Sequence, residues 1–191
     1  TATLRAELVV YRIRNDDELV RFELDDQPGR SFFRNAGITD RDGVEASLSW
    51  DVAAPLTATL VYSYNDFRFR RYQLGADDFA GNEIPGIPNQ QLFAELALRP
   101  APAWTAKLQV AAQGRLFAND ANTERVAGYV TSHARLAWTG RFAAATVSPY
   151  VALNNIFDTE YHDNIRANAS FSRFFEPAPG RVLFGGVSIT F

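Results

Sequence analysis

Along most of the sequence apolar and polar side chains alternate with a period of two, and this limits the fold more than any other feature. Val44, Ala46, Leu48, Trp50 and Val52 interleave with Glu45, Ser47, Ser49 and Asp51. Trp104, Ala106, Leu108, Val110, Ala112 and Leu116 oppose Thr105, Lys107, Gln109, Gln113 and Arg115. Successive strand residues point to opposite faces, so each such segment reads as a strand with one apolar and one polar face. Helical periodicity is scarce. The alternation continues to the end of the chain. Leu183, Val187, Ile189 and Phe191 share a parity with Gly185, against Ser188 and Thr190. Chain ends normally fray unless they are tied down, so this one is expected to be paired in a sheet.

Nine strands are expected, at about 2–14, 17–25, 30–52, 56–69, 90–99, 104–117, 128–139, 142–153 and 181–191. The third is long and is expected to bend at Asn35-Ala36-Gly37, because glycine within a strand pattern often marks a bulge. Short turns fall at 15–16, 53–55, 100–103 and 140–141, and longer loops at 70–89, 118–127 and 154–180, with the connection near 26–29 as a shorter exception. Short and long connections on opposite rims are a property of outer-membrane barrels.

Composition narrows the function. With a net charge of −3 and a pI near 5.4, the chain lacks the basic surface that nucleic acid requires. There is no cysteine, hence no disulfide and no thiolate chemistry. There is no methionine, and the first residue is Thr1, which suggests a processed or excised piece. No segment reaches the roughly 18 apolar residues of a membrane helix. That leaves β-barrel strands open, since their hydropathy signal is weak.

The tryptophans choose between two ways of covering the apolar faces. Trp50, Trp104 and Trp138 each lie on the apolar parity, within a few residues of a short turn. They are expected at one rim, facing one way, as an aromatic girdle at a lipid interface would be. The alternative is a water-soluble β-sandwich with tryptophans at its strand ends. The Ala- and Leu-rich faces suit lipid better than an interdigitated core, and the opposite faces suit a wet or plugged lumen.

A final barrel strand ending in phenylalanine resembles the C-terminal assembly signal of bacterial outer-membrane proteins, here carried by Val187, Ile189 and Phe191. The likeness extends further. Asn154, Asn155, Ile156, Phe157, Asp158 and Tyr161, followed by Pro179, Gly180 and Arg181, resemble the last two strands of a TonB-dependent outer-membrane receptor. Asn35, Ala36, Gly37, Arg41, Gly43, Val44 and Glu45 resemble an upstream strand of that family, and Gly81, Asn82, Ile84, Pro85 and Pro88 a loop exit. The resemblance implies an all-β fold, an antiparallel meander forming part of a transmembrane outer-membrane β-barrel.

It also implies uptake of a scarce nutrient, most often a ferric siderophore, energised by TonB acting on an N-terminal plug. Partners would be TonB, outer-membrane lipid and the barrel assembly machinery, with no cofactor and no nucleic acid. Barrels of this class have about 22 strands. Nine strands would make residues 1–191 the C-terminal portion, with the plug, the N-terminal strands and the upward partner of the first strand absent. A passive porin or a soluble β-rich binding domain are the other classes open to such a chain.

Ligand contacts are expected among loop aromatics and cations: Tyr72, Phe79, Arg125, Tyr161, His162, Arg166, Phe171 and Arg173. Arginine pairs with carboxylates, and aromatic faces suit catecholate rings. Enzymatic chemistry has little support. His133 and His162 lack metal-ligand spacing; Asp40, Asp42 and Glu45 lack the rest of a calcium loop. The acid pairs Asp16-Asp17 and Asp77-Asp78 read as solvated. Ser132 has the opposite parity from His133, and no P-loop, Rossmann or G-x-S-x-G motif is present.

Overall fold

The computed structural model describes residues 3–35 and 37–191. Strand β1 (Leu4–Asp16) leads into a hairpin of β2 (Leu19–Leu24) and β3 (Gln27–Asn35), and β4 (Ile38–Ala53) returns. After Ala54-Pro55, β5 (Leu56–Arg71) leads to a small pair, β6 (Gln73–Leu74) and β7 (Asp77–Asp78), and β8 (Gln90–Leu98) returns. β9 (Trp104–Gln113) is followed by β10 (Leu116–Phe117) and β11 (Arg125–Val126), and β12 (Tyr129–Trp138) returns. β13 (Gly140–Phe142) turns at Ala143 into β14 (Ala145–Asn154). The last loop holds β15 (His162–Ile165), a 3-10 turn at Ser170–Ser172 and β16 (Phe175–Pro177), before β17 (Val182–Thr190).

Eight of these strands form one antiparallel wall in the order β1-β4-β5-β8-β9-β12-β14-β17, with the short β13 alongside β14. Eight wall strands thus replace the nine expected. Residues 17–25 and the start of the expected third strand belong to the β2-β3 hairpin, which pairs only with itself among the described residues. β1 instead pairs directly with β4, from Leu4 opposite Trp50 to Asp16 opposite Ile38. A hairpin standing above the wall has the same period as the wall, so alternation identifies its strands but not their sheet.

The expected short turn at 15–16 and the expected missing upward partner are corrected with it. β1 starts at the rim of the short turns, so the connections alternate throughout. Four long loops, the β1–β4, β5–β8, β9–β12 and β14–β17 loops, share one rim. The short connections share the other, where the Arg99 N–H donates to Pro55 O at 2.7 Å and the Thr139 N–H to Ala103 O at 2.8 Å. At the expected bend Asn35 Oδ1 accepts the Gly37 N–H at 2.6 Å, and Gly37 has φ of +73°; Ala36 lies outside the described residues.

Residues directly opposite in an antiparallel ladder share a face. One row therefore runs Leu4, Trp50, Ala58, Leu96, Leu108, Ala134, Leu153, Leu183 across all eight strands. The neighbouring row on the other face runs Arg5, Ser49, Thr59, Glu95, Gln109, His133. The apolar face is bare: Leu8, Leu96, Leu108, Val130, Leu136, Val151, Leu183 and Ile189 are all exposed, with no second sheet over them among the described residues.

A sandwich would bury that face. Here the buried apolar residues gather mainly at the long-loop rim, as Val20, Phe69, Tyr72 and Ile84 in one cluster and Leu116, Ala118, Val126, Ala169 and Phe174 in a second. Trp104 and Trp138 face each other in register at the short-turn rim, and Trp50 faces Leu4 on the same side of the sheet.

Candidate functional site

Loop backbone lacks ladder partners, so ordered loops need other hydrogen bonds. Side chains tie the loops to one another as well, and two buried carboxylates are the hubs. Asp120, from the β9–β12 loop, has a side chain only 4% exposed. Its Oδ2 accepts from the Tyr72 hydroxyl at 3.1 Å and its Oδ1 from Asn168 Nδ2 at 3.0 Å. Arg34 of β3 stands 3.7 Å away, with its guanidinium 4.4 Å from the Phe22 ring centroid. One residue from each of the four loops thus meets at this point.

Glu23, with a side chain 2% exposed, is the second hub. It accepts from Arg166 at 2.8 Å, Arg21 at 3.0 Å, the Gly29 N–H at 3.0 Å and the Ser170 hydroxyl at 3.2 Å. A third link is bidentate: Arg115 donates to both oxygens of Glu83 at 2.6 and 2.8 Å, joining the β5–β8 and β9–β12 loops.

The electrostatics differ between the two hubs. The Gly29 N–H, with Ser170 and Arg166, holds Glu23 below the usual carboxyl value. Burial pushes Asp120 up despite its donors. Burial and the charge of Asp120 push Tyr72 up to about 12. Tyr72 therefore binds its proton more tightly folded than unfolded. Its contribution is whole below about pH 10 and is lost as pH rises through about 12. An alkaline titration followed by tyrosinate absorbance is expected to show one tyrosine ionising last, together with loosening of the loops, and Tyr72→Phe to abolish that coupled step.

The eight expected ligand contacts occupy three different settings. Tyr72 is interior, 2% exposed, with Phe79 packed at 5.1 Å between ring centroids, and Arg166 is committed to Glu23. Arg125, Tyr161 and His162 are brought together, lining a cleft of about 670 Å³ with Thr159, Glu160 and Gly180. Its aromatic walls are paired: Tyr161 lies 4.3 Å from Tyr129, and His162 stacks on Phe175 at 4.9 Å. Phe171 and Arg173 form a separate exposed tip. Phe171 is 63% exposed at φ of +53°, a strained conformation for a bulky residue, and the Arg173 guanidinium lies 6.0 Å from its ring.

Alternation gave no sign of Glu23, Asp120, Asn168 or Glu83; the available signal was an acid or amide within a loop that also carries apolar residues. The Asn154–Arg181 segment, by contrast, is a structural staple. Asn155 is 2% exposed, accepts from the Thr159 N–H and donates to Thr159 O, both at 2.9 Å. Asp158 Oδ1 accepts the Arg181 N–H at 2.7 Å, and a Cβ on Gly180 would meet that oxygen at 2.7 Å.

His133 Nε2 lies 3.1 Å from the Thr131 hydroxyl. Nδ1 accepts the Asn155 N–H at 3.4 Å, so the neutral ring carries its proton on Nε2 and donates to Thr131. Thr131 is itself buried.

Comparison with known proteins agrees with this architecture. A family profile described as TonB dependent receptor-like, beta-barrel, matches residues 1–156. Among solved structures, the ferric citrate transporter FecA in its unliganded form superposes with a TM-score of 0.76 at 20% identity, over 98% of this chain and 29% of that one. The siderophore receptor PiuA from Acinetobacter baumannii gives 0.71 at 19% identity, over 97% and 25%. The copper transporter OprC gives 0.72 at 17% identity, over 96% and 28%. At these identities the likeness speaks for fold alone. The chain spans between a quarter and a third of the length of these structures.

Proposed function

The chain belongs to the TonB-dependent receptor family, and from that premise we propose that it is the C-terminal portion of an outer-membrane receptor that imports a scarce nutrient using energy relayed by TonB. The observation that carries this reading is the bare apolar row crossing eight strands, with four long loops clasped together at one rim. Water does not favour so large an exposed apolar face, whereas the bilayer interior does. Barrels of this class have about 22 strands, so about 14 more, with the plug that TonB pulls on, belong to the rest of the protein.

The same reading assigns the remaining roles. Trp50, Trp104 and Trp138 anchor the periplasmic rim in the lipid headgroups. Val187 and Ile189 on β17, with Phe191 directly after it, present the strand that the assembly machinery reads. The nutrient is a ferric siderophore, held by Arg125 and the aromatic walls of the cleft with Tyr161 and His162, while Phe171 and Arg173 reach outward. Tyr72, Phe79 and Arg166 support the loops from inside.

Cells that depend on the full-length protein for ferric siderophore uptake are expected to accumulate radioactive iron only when TonB is present. Equal uptake without TonB would make the protein a passive pore. Recovery of a soluble species near 21.3 kDa would favour a binding domain instead.

A further inference from the structure

The Glu23 hub joins parts of the sheet that are far apart. The β1–β4 and β14–β17 loops spring from opposite ends of the wall. Between β4 and β14 lie five strand steps, about 24 Å at the usual spacing of roughly 4.8 Å. Yet Glu23 accepts from Arg166 and Ser170, Asn168 Nδ2 donates to Arg21 O at 3.0 Å, and the Glu23 N–H donates to Asn168 O at 3.3 Å.

The loops meet on the polar side of the wall. Val20 packs in the cluster of Phe69 and Phe67, and Glu18 receives Thr39 at 3.2 Å and Arg41 at 2.8 Å. Those wall residues share the parity of Ser49 and Thr59, the polar face. The loops therefore fold over the polar side of the wall.

The middle loops are fastened beneath. Asn168 N–H donates to Ala118 O at 2.9 Å, and Asn82 Nδ2 donates to Asp120 O at 2.8 Å. Residues 166–170 serve both hubs, Arg166 and Ser170 reaching Glu23 and Asn168 reaching Asp120. The backbone directly after this segment is strained, since Phe171 and Ser172 have φ of +53° and +55°. Single left-handed residues other than glycine persist only where surrounding bonds hold them.

We propose that the four long loops form one latched lid over the polar channel, with segment 166–170 as the bolt and Glu23 and Asp120 as its two catches. Withdrawing the bolt strips donors from two buried carboxylates at once, so the loops open as a body rather than singly. On the receptor reading above, the lid decides when ligand reaches the channel; the latch itself does not depend on that reading.

The sequence has no cysteine, so a single introduced thiol reports opening without background. Ala169 is buried against the second cluster, and Ser172 is exposed on the same loop. In outer-membrane vesicles carrying the full-length protein, A169C is expected to react with a charged maleimide at least 10-fold more slowly than S172C. Glu23→Gln and Asp120→Asn should each raise the A169C rate at least 10-fold. Lys107→Gln, which breaks the wall ion pair with Glu95, should leave it unchanged.

The latch is overturned if A169C reacts as fast as S172C in the otherwise unaltered protein, or if neither catch variant alters the rate. It is equally overturned if Lys107→Gln accelerates labelling as much as they do. Should a catch variant fail to reach the membrane, Ser170→Ala removes one bond to Glu23 and is expected to give a threefold rise; no rise there overturns the latch too. No ligand enters the assay, so failure of siderophore uptake would leave its outcome standing.

Discussion

Replacing Leu108 with arginine is expected to lower the stability of the barrel in a lipid bilayer by about 2–4 kcal/mol, the cost of a charge on the lipid face near mid-membrane. Leu108 lies in the apolar row between Leu96 and Ala134, and it is exposed. If water covered that face, an exposed leucine could become arginine at almost no cost. Gln109→Arg, one residue along and on the polar face, is expected to change stability by less than about 0.5 kcal/mol. Reversible denaturant unfolding of the full-length protein in phospholipid vesicles gives both values. Equal effects at the two positions would remove the lipid-facing assignment.

The second large effect is expected at Asn155. Substitution by leucine removes the two hydrogen bonds that close the 155–159 turn and leaves the half-buried Thr159 N–H and C=O unpaired. Each orphaned group costs about 1–3 kcal/mol. A left-handed backbone, here φ of +49°, adds about 1 kcal/mol for a residue other than glycine or asparagine. Because these groups are only half-buried, the loss falls in the lower part of that sum, about 3–5 kcal/mol, read as a lower unfolding midpoint. Asn155→Asp keeps the acceptor and tolerates the backbone, so it should cost about half as much. If leucine proved no worse than aspartate, the turn would not be the staple.

The wall was legible because a two-residue period is local. Leu108 between Lys107 and Gln109 declares its face without knowledge of any neighbour strand, and the rim of Trp104 and Trp138 follows from their distance to a short turn. The β2-β3 hairpin was misplaced because Leu19 to Leu24 alternates as a wall strand does, and nothing in the residues says that Asp16 will turn straight to Ile38. The loops were least legible. Tyr72 reads as an exposed loop aromatic until Asp120, 48 residues away, gives its hydroxyl a buried partner. Glu23 is likewise an ordinary acid until Ser170, 147 residues later, supplies a donor.

That separation also sets an order in time. Every wall pairing joins strands that are neighbours along the chain, a hairpin's reach apart once each loop is discounted. Closing a contact between residues 23 and 170 before the wall exists would cost the entropy of the whole intervening chain, whereas afterwards only the loops need ordering. Within this stretch of chain the Glu23 contacts therefore close last: the eight-stranded wall forms first, and the loops at its two ends join afterwards.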